Sequence, residues 1–214
     1  MKTVLIINEG VGKDYTQFFE KLGYKVRHGS KFPTDYKPDL ICLTGGTDVY
    51  PELYGEKKRP ETSFPDAERD QEELDVYCEA VDAEVPVLGI CRGAQFICVM
   101  NNGRLVQHVI GHGRPHLVVN NEGEEFEVSS SHHQMMVPDD DGEIIAYSKG
   151  LSPRYLGDDY QHTMDKEPEA VYWESARSLG VQWHPEWMSE NERGFEIVKE
   201  WIDTLLLKEN LCEC

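Results

Sequence analysis

The chain has 214 residues, 39% of them apolar and 29% charged, enough for one well-packed domain and short for two. Forty acidic residues against 21 basic ones give a formal net charge of −19, which excludes a nucleic-acid surface because phosphate binding needs clustered Lys and Arg. No apolar run approaches the ~20 residues that cross a bilayer, and Met1-Lys2 leads straight into a short buried strand, not a secretory core, so a cytoplasmic protein without a membrane role is expected.

In chain order, residues 3–7 are an apolar run closed by Asn8-Glu9-Gly10, a strand and a turn. Residues 14–22 place Phe18, Phe19 and Leu22 at helical spacing, and Gly23 stands where a helix ends. Residues 24–27 read as a second strand, and residues 40–43 as a third that runs into Thr44-Gly45-Gly46. A helix over about 65–83 puts Ala67, Leu74, Cys78 and Val81 on one face. The strand 85–90 leads into a helix at 93–100. Strand segments follow near 117–120, 125–129, 144–148, 170–174 and 179–183. The last helix starts near Ser189 and buries Phe195, Val198, Ile202 and Leu205. Apolar strands alternating with helices predict an α/β three-layer sandwich with a mainly parallel central sheet. The strand-rich second half adds a small antiparallel extension. Nothing resembling a linker or repeat interrupts residues 1–214, which read as a single domain.

The acidic runs at 122–127 and 139–141 read as a solvated face and an acidic turn. Six cysteines show no disulfide framework. Cys42, Cys78 and Cys98 read as small buried hydrophobes, and Cys212 and Cys214 as part of a frayed tail.

Cys91 differs. It falls between a buried strand and a helix in Gly89-Ile90-Cys91-Arg92-Gly93, with glycines two residues to either side. That is the thiol form of a nucleophile elbow, and a helix N-terminus there lowers a thiol pKa. A second group, Gly180-Val181-Gln182-Trp183-His184-Pro185-Glu186, closes another apolar strand. If that segment is extended, His184 and Glu186 stand on one side, the carboxylate orienting the imidazole. Both groups lie at strand ends, where open α/β sheets bind ligands.

Together, Gly-Ile-Cys-Arg-Gly-x-Gln and Gly-Val-Gln-Trp-His-Pro-Glu resemble the class I glutamine amidotransferases, and within them the γ-glutamyl-γ-aminobutyrate hydrolase branch. The stretches Gly45-Gly46-Thr47-Asp48-Val49-Tyr50-Pro51 with Tyr54, Arg69-Asp70-x-x-Glu73 and Ser131-His132-His133-Gln134 extend the likeness. The resemblance implies a flavodoxin-like topology. It assigns Cys91 as nucleophile, His184 as base and acid, and Glu186 as orienting carboxylate. The amides of Gly46 and Arg92 would form an oxyanion hole, and Gln95, His133 and Gln134 would hold the glutamyl group. Selectivity for the leaving amine would fall to Tyr50, Tyr54, Arg69 and Asp70. The implied activity is hydrolysis of a small-molecule γ-glutamyl amide through a thioester, without metal or organic cofactor. The alternative is a glutaminase subunit feeding ammonia to a synthetase partner; a homodimer is also compatible. His108 replaces an acidic residue common in the branch, which bears on the leaving group. His108, His112 and His116 have metal-like spacing, but Gly111, Gly113 and Pro115 break any helix, so they read as loop histidines.

Overall fold

A computed structural model of the chain describes residues 1–8, 14–152, 155–156 and 166–207, the pair 155–156 by backbone alone. The expected turn residues Glu9 and Gly10 and the terminal Cys212 and Cys214 lie outside the described residues.

The strands β1 (Thr3–Ile7), β2 (Lys25–Gly29), β3 (Leu40–Leu43) and β4 (Val87–Ile90) alternate with helices α1 (Asp14–Lys21), α2 (Ala67–Asp82) and α3 (Arg92–Met100). The second half adds β5 (Arg104–Val106), β6 (His108–Val109), β7 (His116–Asn120), β8 (Glu125–Val128), β9 (Met135–Val137), β10 (Glu143–Ser148), β11 (Tyr155–Leu156), β12 (Glu167–Trp173) and β13 (Ser178–Val181). Helix α4 (Arg193–Trp201) closes the described chain and continues as a π turn over Ile202–Leu206.

Nine strands form one sheet in the order β2-β1-β3-β4-β13-β12-β10-β7-β8. The first five are parallel, in flavodoxin-like order, and the last four antiparallel, so the extension is nearly half the sheet. Strand alternation builds two cores from single runs of sequence. Val4, Ile6, Leu40 and Cys42 face one core with Phe18, Phe19, Phe195 and Val198 of α1 and α4. Leu5, Ile7, Ile41 and Leu43 face the other with Val76, Tyr77, Phe96 and Ile97 of α2 and α3.

Helix α2 departs from the expected face. Its buried positions are Asp70, Glu73, Val76, Tyr77 and Ala80, whereas Ala67, Cys78 and Val81 are exposed and Leu74 is half-buried. Two ion-paired carboxylates occupy the inward face, so apolar periodicity alone selects the wrong side. Cys78 is therefore an exposed thiol, contrary to expectation. At the far end, the Leu207 N–H reaches the Ile202 carbonyl at 2.9 Å, an i→i+5 bond, and this wider turn buries Leu206 where Leu205 was expected.

Helix α3 lies unusually close to the sheet because small residues line the contact. A Cβ on Gly93 would overlap the Leu43 carbonyl, one on Gly89 would overlap the Gly93 carbonyl, and one on Gly180 would come within 3.1 Å of the Ala94 methyl. The Gly93 and Leu43 backbones have no side-chain freedom with which to yield. Gly93→Ala is therefore expected to destabilise the fold by about 3 kcal/mol, read as a lowered urea midpoint at unchanged m.

Candidate active site

Strand β4 is buried along its whole length between β3 and β13, and it delivers Cys91 to the middle of the sheet's carboxyl edge. Cys91 is the N-cap of α3, with φ 52° and ψ −106°, a backbone region that L-residues rarely occupy. Its N–H donates to the Val181 carbonyl at 2.7 Å, which fixes the turn.

His184 follows β13. Its N–H donates to the Ser129 carbonyl at 3.1 Å, and Ser129 Oγ donates back to the His184 carbonyl at 2.5 Å. The imidazole and the Cys91 side chain both flank Gly45, and the ring's Nδ1 lies 2.6 Å from Glu186 Oε1. Nε2 is also 3.0 Å from Ser131 Oγ. Glu186 does not reach the ring from an extended strand, as expected, because β13 stops at Val181. Pro185 instead opens a 3-10 turn over Pro185–Trp187, and the turn brings the carboxylate back to His184. The turn also stacks Trp187 on the imidazole, with centroids 3.7 Å apart and planes 7° from parallel. Burial disfavours a charged His184, but the neighbouring Cys91 and Glu186 outweigh that and carry its pKa up to about 10.

Cys91 and His184 border a cavity of about 570 Å³, the size of a small-molecule site. The loop after β3 supplies Gly46, Thr47 and Asp48, α3 supplies Gln95, and the segment before β9 supplies Ser131 and His133. Gly46 has φ 154°, and Arg69 packs so closely on it that a Cβ would overlap the guanidinium. The Arg92 N–H begins α3 and has no intrahelical carbonyl to reach. His133 Nε2 lies 3.1 Å from Asp48 Oδ1, and its Nδ1 lies 3.1 Å from Nδ1 of His108.

Several expected residues stand behind the wall. Gln134 is buried and directs its Nε2 to the Gln107 carbonyl at 3.3 Å, while its own carbonyl accepts from Gln95 Nε2 at 3.4 Å. Tyr50, Tyr54, Arg69 and Asp70 do not border the cavity either. Asp70 Oδ2 accepts the Tyr50 N–H at 2.9 Å. Arg69 Nη2 donates to the Thr44 and Gly45 carbonyls at 3.0 and 3.1 Å, and its Nε donates to Glu73 at 2.7 Å. The buried Arg92 guanidinium completes the brace by pairing with both Asp70 and Glu73. Burial still pushes the Asp70 carboxyl up against the pull of Arg92.

Three wall residues, Tyr15, Ser63 and Trp187, lie outside the stretches singled out in the sequence. Trp187 has a local signal, three residues past His184 in the His-Pro-Glu-Trp run. Tyr15, whose Oη accepts the Gly45 N–H at 2.9 Å, arrives from α1 with no local signal at all. Burial, with Glu186 and Cys91 nearby, pushes its phenol well above the usual range. The three spaced histidines also separate. His108 joins His133, whereas His112 and His116 are buried beside His132 and Glu169 and are not plain loop residues. Their convergence runs across strands, which a helix-based spacing test does not detect.

Residues 37–146 match the peptidase C26 family. A glutamine amidotransferase-like protein of Lactococcus lactis (YvdE) is 34% identical over 175 residues, 72% of this chain and 68% of that protein. The carbamoyl phosphate synthase small chain of Helicobacter pylori is 26% identical over 136 residues, 63% of this chain and only 33% of that one. Among solved structures, a Thermotoga maritima glutamine amidotransferase superposes with a TM-score of 0.58 at 17% identity, covering 96% of this chain and 88% of that one. A glutamine amidotransferase of Methylobacillus flagellatus gives 0.56 at 15% identity, with 94% of this chain and 74% of that one covered. These structural likenesses concern the fold.

The raised pKa of His184 carries a sign. Its folded value of about 10 lies above the ~6.5 of an unfolded histidine. The stability it contributes is therefore fully present below about pH 6.5, declines across the window, and is gone above about pH 10. Comparing Tm of the wild type and Glu186→Gln across this range should show the wild-type advantage shrinking as pH rises.

Proposed function

Because the chain belongs to the peptidase C26 family of glutamine amidotransferase-like proteins, cysteine-type amidohydrolases and amidotransferases, we propose that it hydrolyses γ-glutamyl amides through Cys91, His184 and Glu186. The observation that carries this reading is that Cys91 and His184 border one small-molecule cavity, with Glu186 held 2.6 Å from the far nitrogen of the imidazole. His184 takes the Cys91 proton and the thiolate attacks the γ-carbonyl carbon. The oxyanion that forms is held by the amides of Gly46 and Arg92. His184 then gives its proton to the departing nitrogen, leaving a γ-glutamyl thioester and a free amine. Water, deprotonated by His184, attacks the thioester and releases glutamate and the thiol. Glu186 keeps Nδ1 as the proton-bearing atom and stabilises the imidazolium at each step. Gln95 and His133 line the side of the cavity that would take the glutamyl group, and Gln134 positions Gln95 through its carbonyl.

The likeness to a carbamoyl phosphate synthase small chain favours a second reading, a glutaminase that supplies ammonia to a separate synthetase. The purified chain assayed alone distinguishes them. Turnover of γ-glutamyl amines without a partner supports the hydrolase, and glutamine turnover that appears only with a synthetase supports the second reading. No helix among the described residues is long and apolar enough to cross a membrane, which fits either.

A diazoketone analogue of glutamine should label Cys91 and spare Cys78, although Cys78 is the more exposed thiol. Peptide mapping that places the label on Cys78 would remove the assignment. Cys91→Ala should lower kcat by at least about 10³-fold. Glu186→Gln should lower kcat more than it raises KM, since its effect is on the charged imidazole of the transition state.

A further inference from the structure

Beside the cavity, which His132 borders, His112, His116, His132 and Glu169 bring one donor atom each to within 4.8 Å of one another, and all four are buried. We propose that this cluster is a structural site for a divalent transition-metal ion, with Zn²⁺ the best fit to three imidazoles and one carboxylate.

The ring nitrogens pointing away from the centre are already committed. His116 Nδ1 lies 2.9 Å from the Arg114 carbonyl, and His132 Nδ1 lies 2.9 Å from the Gln134 carbonyl. A carbonyl only accepts, so both Nδ1 atoms carry the proton and both Nε2 atoms face Glu169, at 2.9 and 3.4 Å. His112 Nδ1 lies 2.9 Å from the same carboxylate, and its Nε2 lies 3.2 Å from Glu167. His116 and His132 thus each have a backbone carbonyl behind the ring, which is the arrangement that orients metal-ligating imidazoles, whereas His112 Nε2 makes no hydrogen bond.

Unpaired atoms favour a metal over a purely protonic network. His116 uses both ring nitrogens, while His112 meets Glu169 through Nδ1 alone. The three ring centroids are only 4.8 to 6.1 Å apart, and all three imidazoles and both carboxylates are buried. His112 Nε2, His132 Nε2 and Glu169 Oε2 are all buried without a hydrogen-bond partner among the described residues. Three neutral imidazoles, two carboxylates and one divalent cation sum to zero. Metal–ligand bonds of ~2.0–2.1 Å would set tetrahedral donors roughly 3.3 Å apart, so the widest pair would close from 4.8 Å while the 2.9 Å contacts to Glu169 would open, adjustments that rotations of the side chains can supply.

The site would tie the strand β12 to the loop before β7 and to the segment carrying Ser131 and His133. Ser130 Oγ already donates to the His112 carbonyl in that loop. An ion here would therefore hold one wall of the cavity while taking no part in the chemistry at Cys91.

The test uses the purified full-length chain. Elemental analysis should find about one equivalent of zinc per chain, removed by a strong chelator with a fall in Tm and restored with Tm by added Zn²⁺. Reconstitution with Co²⁺ should give the intense visible ligand-field bands of a four-coordinate ion without sulfur-to-cobalt charge transfer. Glu169→Gln should retain less than about a tenth of that metal. The proposal is overturned if the wild type incubated with Zn²⁺ or Co²⁺ retains none after gel filtration and its Tm does not move. It is equally overturned if cobalt shows thiolate charge transfer, which would place the ion on cysteines, or if Glu169→Gln binds it as tightly as the wild type.

Discussion

A guanidinium buried at the start of a helix is in the wrong place by the ordinary rules, since the positive end of a helix repels cations. Arg92 holds that position immediately after Cys91, with 1% of its surface exposed. Asp70 and Glu73 compensate it from the neighbouring helix, and both are consumed in further contacts. Asp70 fixes the backbone at Tyr50, and Glu73 orients Arg69, which in turn grips the carbonyls of Thr44 and Gly45. One desolvated charge cluster thus sets the relative positions of the elbow, the loop after β3 and the start of α2. A buried pair of this kind adds little net stability, but removing one partner is severe because it strands the others.

This arrangement explains where the sequence was easy to read and where it was not. The strands Thr3–Ile7 and Leu40–Leu43 lie where the apolar runs put them, because each is buried on both faces and needs no tertiary information. The elbow was equally legible, since glycines two residues either side of Cys91 have a steric meaning that does not depend on the rest of the fold. Helix α2 was misread because its inward face is chosen by Arg92, a residue outside the helix, and periodicity counts only apolar positions. The short strands β5, β6 and β9 went unseen for a related reason: two or three residues carry no periodic signal, and pairing such as Arg104 with Val137 is a long-range event.

The candidate site was legible as chemistry but not as geometry. Cys91, His184 and Glu186 were recognisable as types at strand ends, yet the turn that unites His184 with Glu186 is a 3-10 turn opened by Pro185, where an extended segment was expected. Tyr15 and the braced position of Gln134 depend on how α1 and β9 pack, which no local pattern encodes. The buried histidines show the same limit. His116 opens β7, while His112 and His132 lie on the segments before β7 and β9, so their relation is set by how distant segments pack and not by local spacing.

The backbone at Cys91, with its φ of 52°, has a consequence for the history of such a chain. A non-glycine residue held there costs roughly 1–3 kcal/mol, and under the proposed function the thiol's reactivity is the reason to keep it. Once reactivity ceases to matter, replacement by glycine relaxes the turn while leaving both cores untouched. Descendants that have lost the nucleophile are then expected to be firmer than their active ancestors, and the architecture can outlive its chemistry as a binding scaffold.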